Sequence, residues 1–354
     1  MQKIESPAAF IGKDDNNLIS FGSGQPDLPP PEAVYKILPT YRNFKYGLIK
    51  GQENLRQALA AQYQNAKADN FVITNGASEA LDLTLRALYQ PGAKVLLPKP
   101  YYYSYPFNVR LAGMEPVFYE LVDGKIDFEQ FKKEILGCQA VLINSPGNPT
   151  GTVQDLAVLK KIEKLGQKLN IYIISDEVYK DLIYERENYL MEGKKVLTLN
   201  SFSKTYAMCG FRVGYVYARE KELIDKIVEM KTHTSMNTNI LGQEMAYEAT
   251  KVPRSYIDSQ TKIWKERRDL IYNGLWELGL EVWKPEGAFY VFPKMKNPGK
   301  VVSDLYFKYH VITYDGTWFG DEQRVRFSYA LDAEKIKEGL RRLGEYLKKE
   351  YREN

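Results

Sequence analysis

Four short stretches carry groups able to act together on one small ligand. Lys204 stands in a hydroxyl-rich turn, Ser201-Phe202-Ser203-Lys204-Thr205, among small neighbours rather than on a charged helix face. Asp176 and Tyr179 occur together in Asp176-Glu177-Val178-Tyr179. Asn148 lies in Ser145-Pro146-Gly147-Asn148-Pro149-Thr150-Gly151, where prolines and glycines constrain the backbone and an X–Pro bond is open to the cis form. In Thr74-Asn75-Gly76-Ala77-Ser78, small residues precede a helical pattern. Backbone N–H groups there can bind an anion such as phosphate, although an ordinary Asn or Ser N-cap reads the same way.

What is scarce narrows the chemistry further. The 354 residues include two histidines, His233 and His310, and two cysteines, Cys138 and Cys209, none in ligand spacing. Zinc sites built on Cys and His pairs and a disulfide framework are therefore not expected, and no metal is assigned to the site. A serine triad has only these two histidines to draw on, so proton transfer falls to Lys, Asp, Glu or Tyr. Lys and Arg total 49 against 45 Asp and Glu, a net charge of +4 with the signs interleaved. Neither a nucleic-acid nor a membrane surface is indicated. No apolar run approaches the ~18 residues that a membrane span needs, and the charged, proline-containing start does not read as an export signal, which points to the cytoplasm.

Positioning those groups requires strands that end at one edge. The strand candidates are 71–74, 94–97, 140–144, 171–175, 196–200 and 213–217, with helical patterns near 52–66, 79–90, 104–112, 128–136 and 155–169 between them. Apolar strands separated by helices imply a largely parallel sheet in an α/β domain. Beyond 217 come long helical stretches, 219–249 and 254–278, then strands near 288–292 and 324–328 and a closing helix at 333–349. The expected division is a large domain of 32–251 and a smaller α+β domain of 1–31 with 252–354. In open α/β sheets, ligands bind beyond the carboxyl ends of the strands. Each of the four stretches follows a strand candidate, so they converge on a ligand with a phosphate, a protonated ring nitrogen, a phenolic oxygen and an aldehyde. Pyridoxal 5′-phosphate has all four. Neither G-x-G-x-x-G nor G-x-x-x-x-G-K-[ST] occurs to suggest another phosphate ligand.

The stretch Ser201 to Tyr215 (SFSKTYAMCGFRVGY) resembles the lysine signature of class I/II aminotransferases, of the aspartate aminotransferase-like fold type I. Asn144 to Gly151 (NSPGNPTG), Asp176 to Tyr179 (DEVY) and Thr74 to Ala80 (TNGASEA) match the same family in the same order. The resemblance implies a pyridoxal-phosphate-binding domain, with Lys204 as the internal aldimine lysine and proton carrier. Asp176 would pair with the ring nitrogen, and Tyr179 and Asn148 would bind the ring oxygen. Gly76, Ala77, Ser78, Ser201 and Arg212 would hold the phosphate. In KPYYYSYP (99–106), Tyr102 would stack on the ring; in KYGLIKGQENLRQAL (45–59), Tyr46 would reach the phosphate of the partner subunit in a homodimer. Arg326 in Val325-Arg326-Phe327-Ser328 would bind the substrate carboxylate, with Gly24 lining that pocket. For Arg326, as for Arg324, an ordinary salt bridge is the competing reading.

The implied reaction moves the amino group of an L-amino acid to a 2-oxo acid such as 2-oxoglutarate, through pyridoxamine phosphate. Three readings stand beside it: a C–S β-lyase, histidinol-phosphate transamination and a non-catalytic PLP-fold binding or regulatory protein. The loop read at 232–242 has no Lys or Arg, and the TNGASEA turn has no lysine, so a cation for a dicarboxylate substrate would fall to His233 or Lys13. Tyr102, Tyr103, Trp318 and Phe319 could instead line an apolar or aromatic pocket, with core packing as the competing reading for Tyr103 and Phe319. The substrate range expected is aromatic or aspartate-like.

Overall fold

The computed structural model describes residues 4, 6–10 and 17–351. Its strands, in chain order, are β1 (Ile19–Ser20), β2 (Phe71–Thr74), β3 (Lys94–Lys99), β4 (Glu115–Val122), β5 (Lys125–Ile126), β6 (Ala140–Asn144), β7 (Tyr172–Asp176), β8 (Val196–Ser201), β9 (Gly214–Ala218), β10 (Tyr290–Val291), β11 (Val311–Ile312), β12 (Tyr314–Asp315) and β13 (Val325–Ser328). Eight form one sheet in the order β2-β9-β8-β7-β6-β3-β4-β5. The run from β8 to β4 is parallel throughout, while β9 lies antiparallel to both its neighbours and β5 antiparallel to β4. A three-stranded antiparallel sheet, β10-β13-β12, comes from the C-terminal part, and β1 pairs in parallel with β11. The architecture is α/β, a large mixed sheet flanked by helices, as in fold type I.

The central strands are apolar because both faces are covered. In β6, Val141 and Ile143 pack with Leu96, Ile173 and Val196 on one face, while Ala140 and Leu142 pack with Val95, Leu97, Ile174 and Leu197 on the other. Burying each such side chain stabilises the fold by about 1.5–3 kcal/mol. Helix Leu156–Leu169 lays Leu159 and Ile162 into the first of these layers and ends where Asn170 turns left-handed, at φ +58°.

Some elements differ from the sequence expectation for identifiable reasons. Strand β4 lies towards the sheet's outer edge, half exposed, so it lacks an apolar run. The stretch read as one helix at 219–249 is two, Lys221–His233 and Ile240–Thr250, separated by a polar loop in which Met236 has φ +57°. Helix Pro298–Tyr309 hides behind an initial proline, which suits the first turn, where its missing N–H is not needed.

The register explains why the polar side chains meet. Asn144 pairs with Asp176, and Gly214 pairs with both Thr74 and Ser201, so these residues share one edge of the sheet. On one face of β7, β8 and β9, Ser175, Thr198 and Tyr217 form a buried polar row. Beside it lies Glu177, buried, with one carboxyl oxygen accepting from the Ser175 hydroxyl at 2.8 Å. Burial pushes its carboxyl up to about 8, against the pull of Lys180.

Between the ordinary 4.5 and about 8, the folded chain keeps a Glu177 proton that the unfolded chain releases. Folding stability should therefore fall as pH rises through that window. Thermal unfolding of Glu177→Gln should lose this part of the slope, the variant gaining on wild type from pH 5 towards pH 8; identical slopes would refute a protonated, buried Glu177.

Candidate active site

A cavity of about 1040 Å³ opens at the carboxyl edge of the large sheet. Gly24, Ala77, Ser78, Tyr102, Asn148, Asp176, Tyr179, Ser201, Lys204, Arg212 and Arg326 all line it. Gly76 stands just behind the wall: a Cβ there would come within 2.5 Å of the Arg212 guanidinium. Tyr46 is placed elsewhere, 84% exposed on a surface it shares with Phe44 and Leu48. Lys13 lies outside the described residues. His233 does not belong to a loop facing the cavity; it is an exposed residue in the last turn of a helix. Tyr103 and Trp318 line the cavity, whereas Phe319 is buried beneath Arg326, 4.8 Å from its guanidinium.

At one end the wall is the start of helix Gly76–Ala87. The first turn of a helix has N–H groups without intrahelical partners. Asn75 at the cap position makes no side-chain capping bond; Glu79 instead accepts from the Asn75 backbone N–H at 2.6 Å and its side-chain amide at 3.1 Å. Lys231, wholly buried, holds the same carboxylate at 2.9 Å. The helix start, which takes no side-chain cap from Asn75, thus lies against the cavity at Ala77 and Ser78 with Arg212 alongside. Arg212 is left-handed, at φ +56°, and its guanidinium donates to the carbonyls of Cys209 at 2.9 Å and Asn75 at 3.4 Å. Ser201 accepts from the Ser203 N–H at 3.0 Å. An oxyanion such as phosphate suits this end.

The middle of the cavity holds an acid and a base. Asp176 is buried, its carboxylate accepting from the Tyr105 hydroxyl at 2.7 Å and the Val178 N–H at 3.3 Å, with no ion pair among the described residues. Burial raises its carboxyl above the ordinary carboxylate range, against the opposing pull of Tyr105, Val178 and Lys204. A cation set beside it would relieve that cost. The Lys204 ammonium donates to the Gly24 carbonyl at 2.5 Å. The hydroxyls of Tyr179 and Tyr290 are 2.8 Å apart.

Arg326 closes the far side. It is buried, donates to the Asn148 side-chain carbonyl at 3.0 Å and to the Gly22 carbonyl, and lies 4.5 Å from the rings of both Tyr290 and Tyr314. Its Nε has no hydrogen-bond partner among the described residues, and no carboxylate there pairs with it. Arg324, two residues earlier, meets Glu281 at 3.2 Å and Asp321 at 3.7 Å. The salt-bridge reading therefore holds for Arg324 and fails for Arg326. A fixed guanidinium without a paired carboxylate is chemically able to take one from outside the chain.

Four residues at or beside the site carry no local sequence signal strong enough to single them out. Tyr105 and Tyr290 line the cavity but sit among many other tyrosines, and Arg110 is an exposed cation at the end of helix Tyr105–Leu111. Gly214 opens β9, and its glycine identity was the available clue. A Cβ there would lie 2.6 Å from the Gly76 carbonyl carbon and 2.8 Å from the Ala77 nitrogen.

The aminotransferase class I and II family model matches residues 16–343. A probable aspartate/prephenate aminotransferase of Aquifex aeolicus is 34% identical, with 92% of this chain and 90% of that protein covered. Among solved structures, an aspartate aminotransferase from Thermotoga maritima superposes with a TM-score of 0.89 at 31% identity, covering 97% of this chain and 95% of that one. An aromatic aminotransferase from Pyrococcus horikoshii OT3 gives 0.88 at 31%, covering 94% and 96%.

Gly214→Ala should displace the start of helix Gly76–Ala87 and destabilise the fold by about 1–3 kcal/mol, the usual range for overpacking. Thermal unfolding with and without added phosphate should show lower stability and weaker stabilisation by the anion. A variant matching wild type in both would remove Gly214 from the account.

Proposed function

The chain belongs to the class I and II aminotransferase family, and on that basis we propose that this cavity binds pyridoxal 5′-phosphate and an amino acid side by side. The observation that carries the reading is Asp176, a buried carboxylate in no ion pair among the described residues, facing the same cavity as Lys204. A protonated ring nitrogen is the cation that fits it. Phosphate goes to the N–H groups of Gly76, Ala77 and Ser78, with Ser201 and Arg212. Asn148 and Tyr179 hold the ring oxygen, and Tyr102 covers the ring face. When bound, the cofactor supplies an electron-poor ring that accepts the electrons left when a substrate Cα–H bond breaks.

The chain's own residues do the rest. Arg326 binds the α-carboxylate with Gly24 beside it and so orients the Cα–H bond towards Lys204. Lys204, facing the same cavity, would serve as the amine that takes the proton from the substrate Cα, a general-base step worth about 10²–10⁴-fold. Asp176 holds the proton on the ring nitrogen throughout. The aminotransferase moves an amino group from an amino acid to a 2-oxo acid. We read the donors as aromatic or aspartate-like, because Tyr103, Tyr314 and Trp318 line the same cavity as Arg110.

We further propose that two copies associate through the surface bearing Phe44, Tyr46 and Leu48, Tyr46 reaching the phosphate of the other copy. The division into 32–251 and 1–31 with 252–354 keeps the eight-stranded sheet in one unit and the three-stranded sheet in the other. Both cysteines are unpaired, which suits a reducing cytoplasm. Among the described residues no helix is long and apolar enough to cross a membrane.

A panel of L-amino acids with 2-oxoglutarate, assayed for oxo-acid products and for pyruvate with ammonia, tests the reaction class. Oxo acids in step with glutamate are expected; pyruvate and ammonia without glutamate would mean a lyase instead. Arg326→Ala should raise KM and lower kcat for every amino acid alike, a combined loss on the order of 10²-fold or more in kcat/KM. A loss confined to one substrate would assign Arg326 to the side chain instead.

A further inference from the structure

Tyr290, in β10, is buried and belongs to none of the roles assigned above. Its hydroxyl lies 2.8 Å from that of Tyr179, and the two rings meet edge to face at 5.7 Å and 88°. The Arg326 guanidinium sits 4.5 Å from its ring. A Cβ at Gly24 would come 2.0 Å from its hydroxyl oxygen, so only glycine leaves that hydroxyl its place, and the same glycine offers its carbonyl to Lys204. One side chain thus touches the residue that holds the ring oxygen, the residue that binds the substrate carboxylate and the backbone that receives the lysine.

A tyrosine hydroxyl has one proton to give. Without a ligand, either hydroxyl of the Tyr179–Tyr290 pair can donate to the other. Once Tyr179 gives its proton to the ring oxygen, it can only accept from Tyr290. Hydrogen bonds in such a chain strengthen one another in a water-poor site. We propose that Tyr290 is a positioning residue with two separable parts: its hydroxyl donates to Tyr179 and sharpens Tyr179 as a donor to the cofactor's ring oxygen, while its ring supports Arg326. The inference rests on the cofactor reading above.

Two variants of the holoenzyme separate the parts. Tyr290→Phe keeps the ring and removes the hydroxyl. The ring oxygen then loses stabilisation and becomes more basic, so the proton it shares with the Lys204 nitrogen is held to higher pH. The midpoint at which the bound cofactor's visible absorbance titrates should rise by about half a pH unit or more, with kcat down about 5–10-fold and KM within about 2-fold, as expected for one weakened hydrogen bond. Tyr290→Leu removes both parts and should in addition raise KM for all amino acids by about 10-fold or more, through lost support of Arg326. A Tyr290→Phe enzyme with an unmoved absorbance midpoint overturns the proposal, and so does one whose KM rises as far as that of Tyr290→Leu. Wild-type protein that takes up no pyridoxal 5′-phosphate overturns the cofactor reading, and this proposal with it. Normal cofactor uptake with an unmoved midpoint leaves that reading standing and removes Tyr290 alone.

Discussion

Asp176 ends a central strand, buried, with a phenol and one backbone N–H as its donors. That placement is unfavourable in the chain taken alone, because desolvation penalises a carboxylate that has no ion-pair partner among the described residues. Much of the neighbouring architecture reads as a response to it. Tyr105 is held in place by its own helix to give the carboxylate a proton contact. Asn144, paired with Asp176 across the ladder, spends its amide on the Asp176 carbonyl and its side-chain oxygen on the Asn148 N–H. The acid and the loop bearing Asn148 are therefore locked to each other before any ligand arrives.

The opposite charge is treated in a parallel way. Arg326 is as deeply buried as Asp176 and equally without a counter-ion among the described residues, but it is surrounded by aromatic faces and carbonyls. Aromatic rings stabilise a guanidinium without neutralising it, so the site keeps its attraction for an anion. The two buried charges come from different sheets and are linked through Asn148, which accepts from Arg326, and through the contact between Tyr179 and Tyr290. An electrostatically incomplete cavity of this kind gains most when both its ligand groups are present, which favours a family of reactions where two partners must lie in fixed relation.

The large sheet was legible because buried parallel strands are short apolar runs, and the helices between them show the 3.6 period. The polar stretches were legible because each follows such a run. What escaped has a common physical cause. Tyr105 meets Asp176, and Tyr290 meets Tyr179, across separations of 71 and 111 residues, and no local period encodes a contact of that range. Gly214 is demanded by a helix start that belongs to another strand's continuation. Strand β4 and helix Pro298–Tyr309 escaped for local reasons: the first is half exposed, the second opens on a proline. His233 is exposed in the last turn of its helix, and the loop expected from 232 begins only after it.

The contrast between Arg324 and Arg326 has a consequence beyond charge. Successive strand residues face opposite ways, and β13 is held on both sides: Arg326 is opposite Tyr314 of β12, and Phe327 opposite Val291 of β10. A slip of one residue would turn Arg326 away from the cavity and bring a neighbouring side chain inward in its place. Under the role proposed for Arg326, the alignment of a four-residue strand is itself a determinant of substrate recognition, and insertions or deletions in the turns leading into β13 would be constrained by ligand binding as much as by folding.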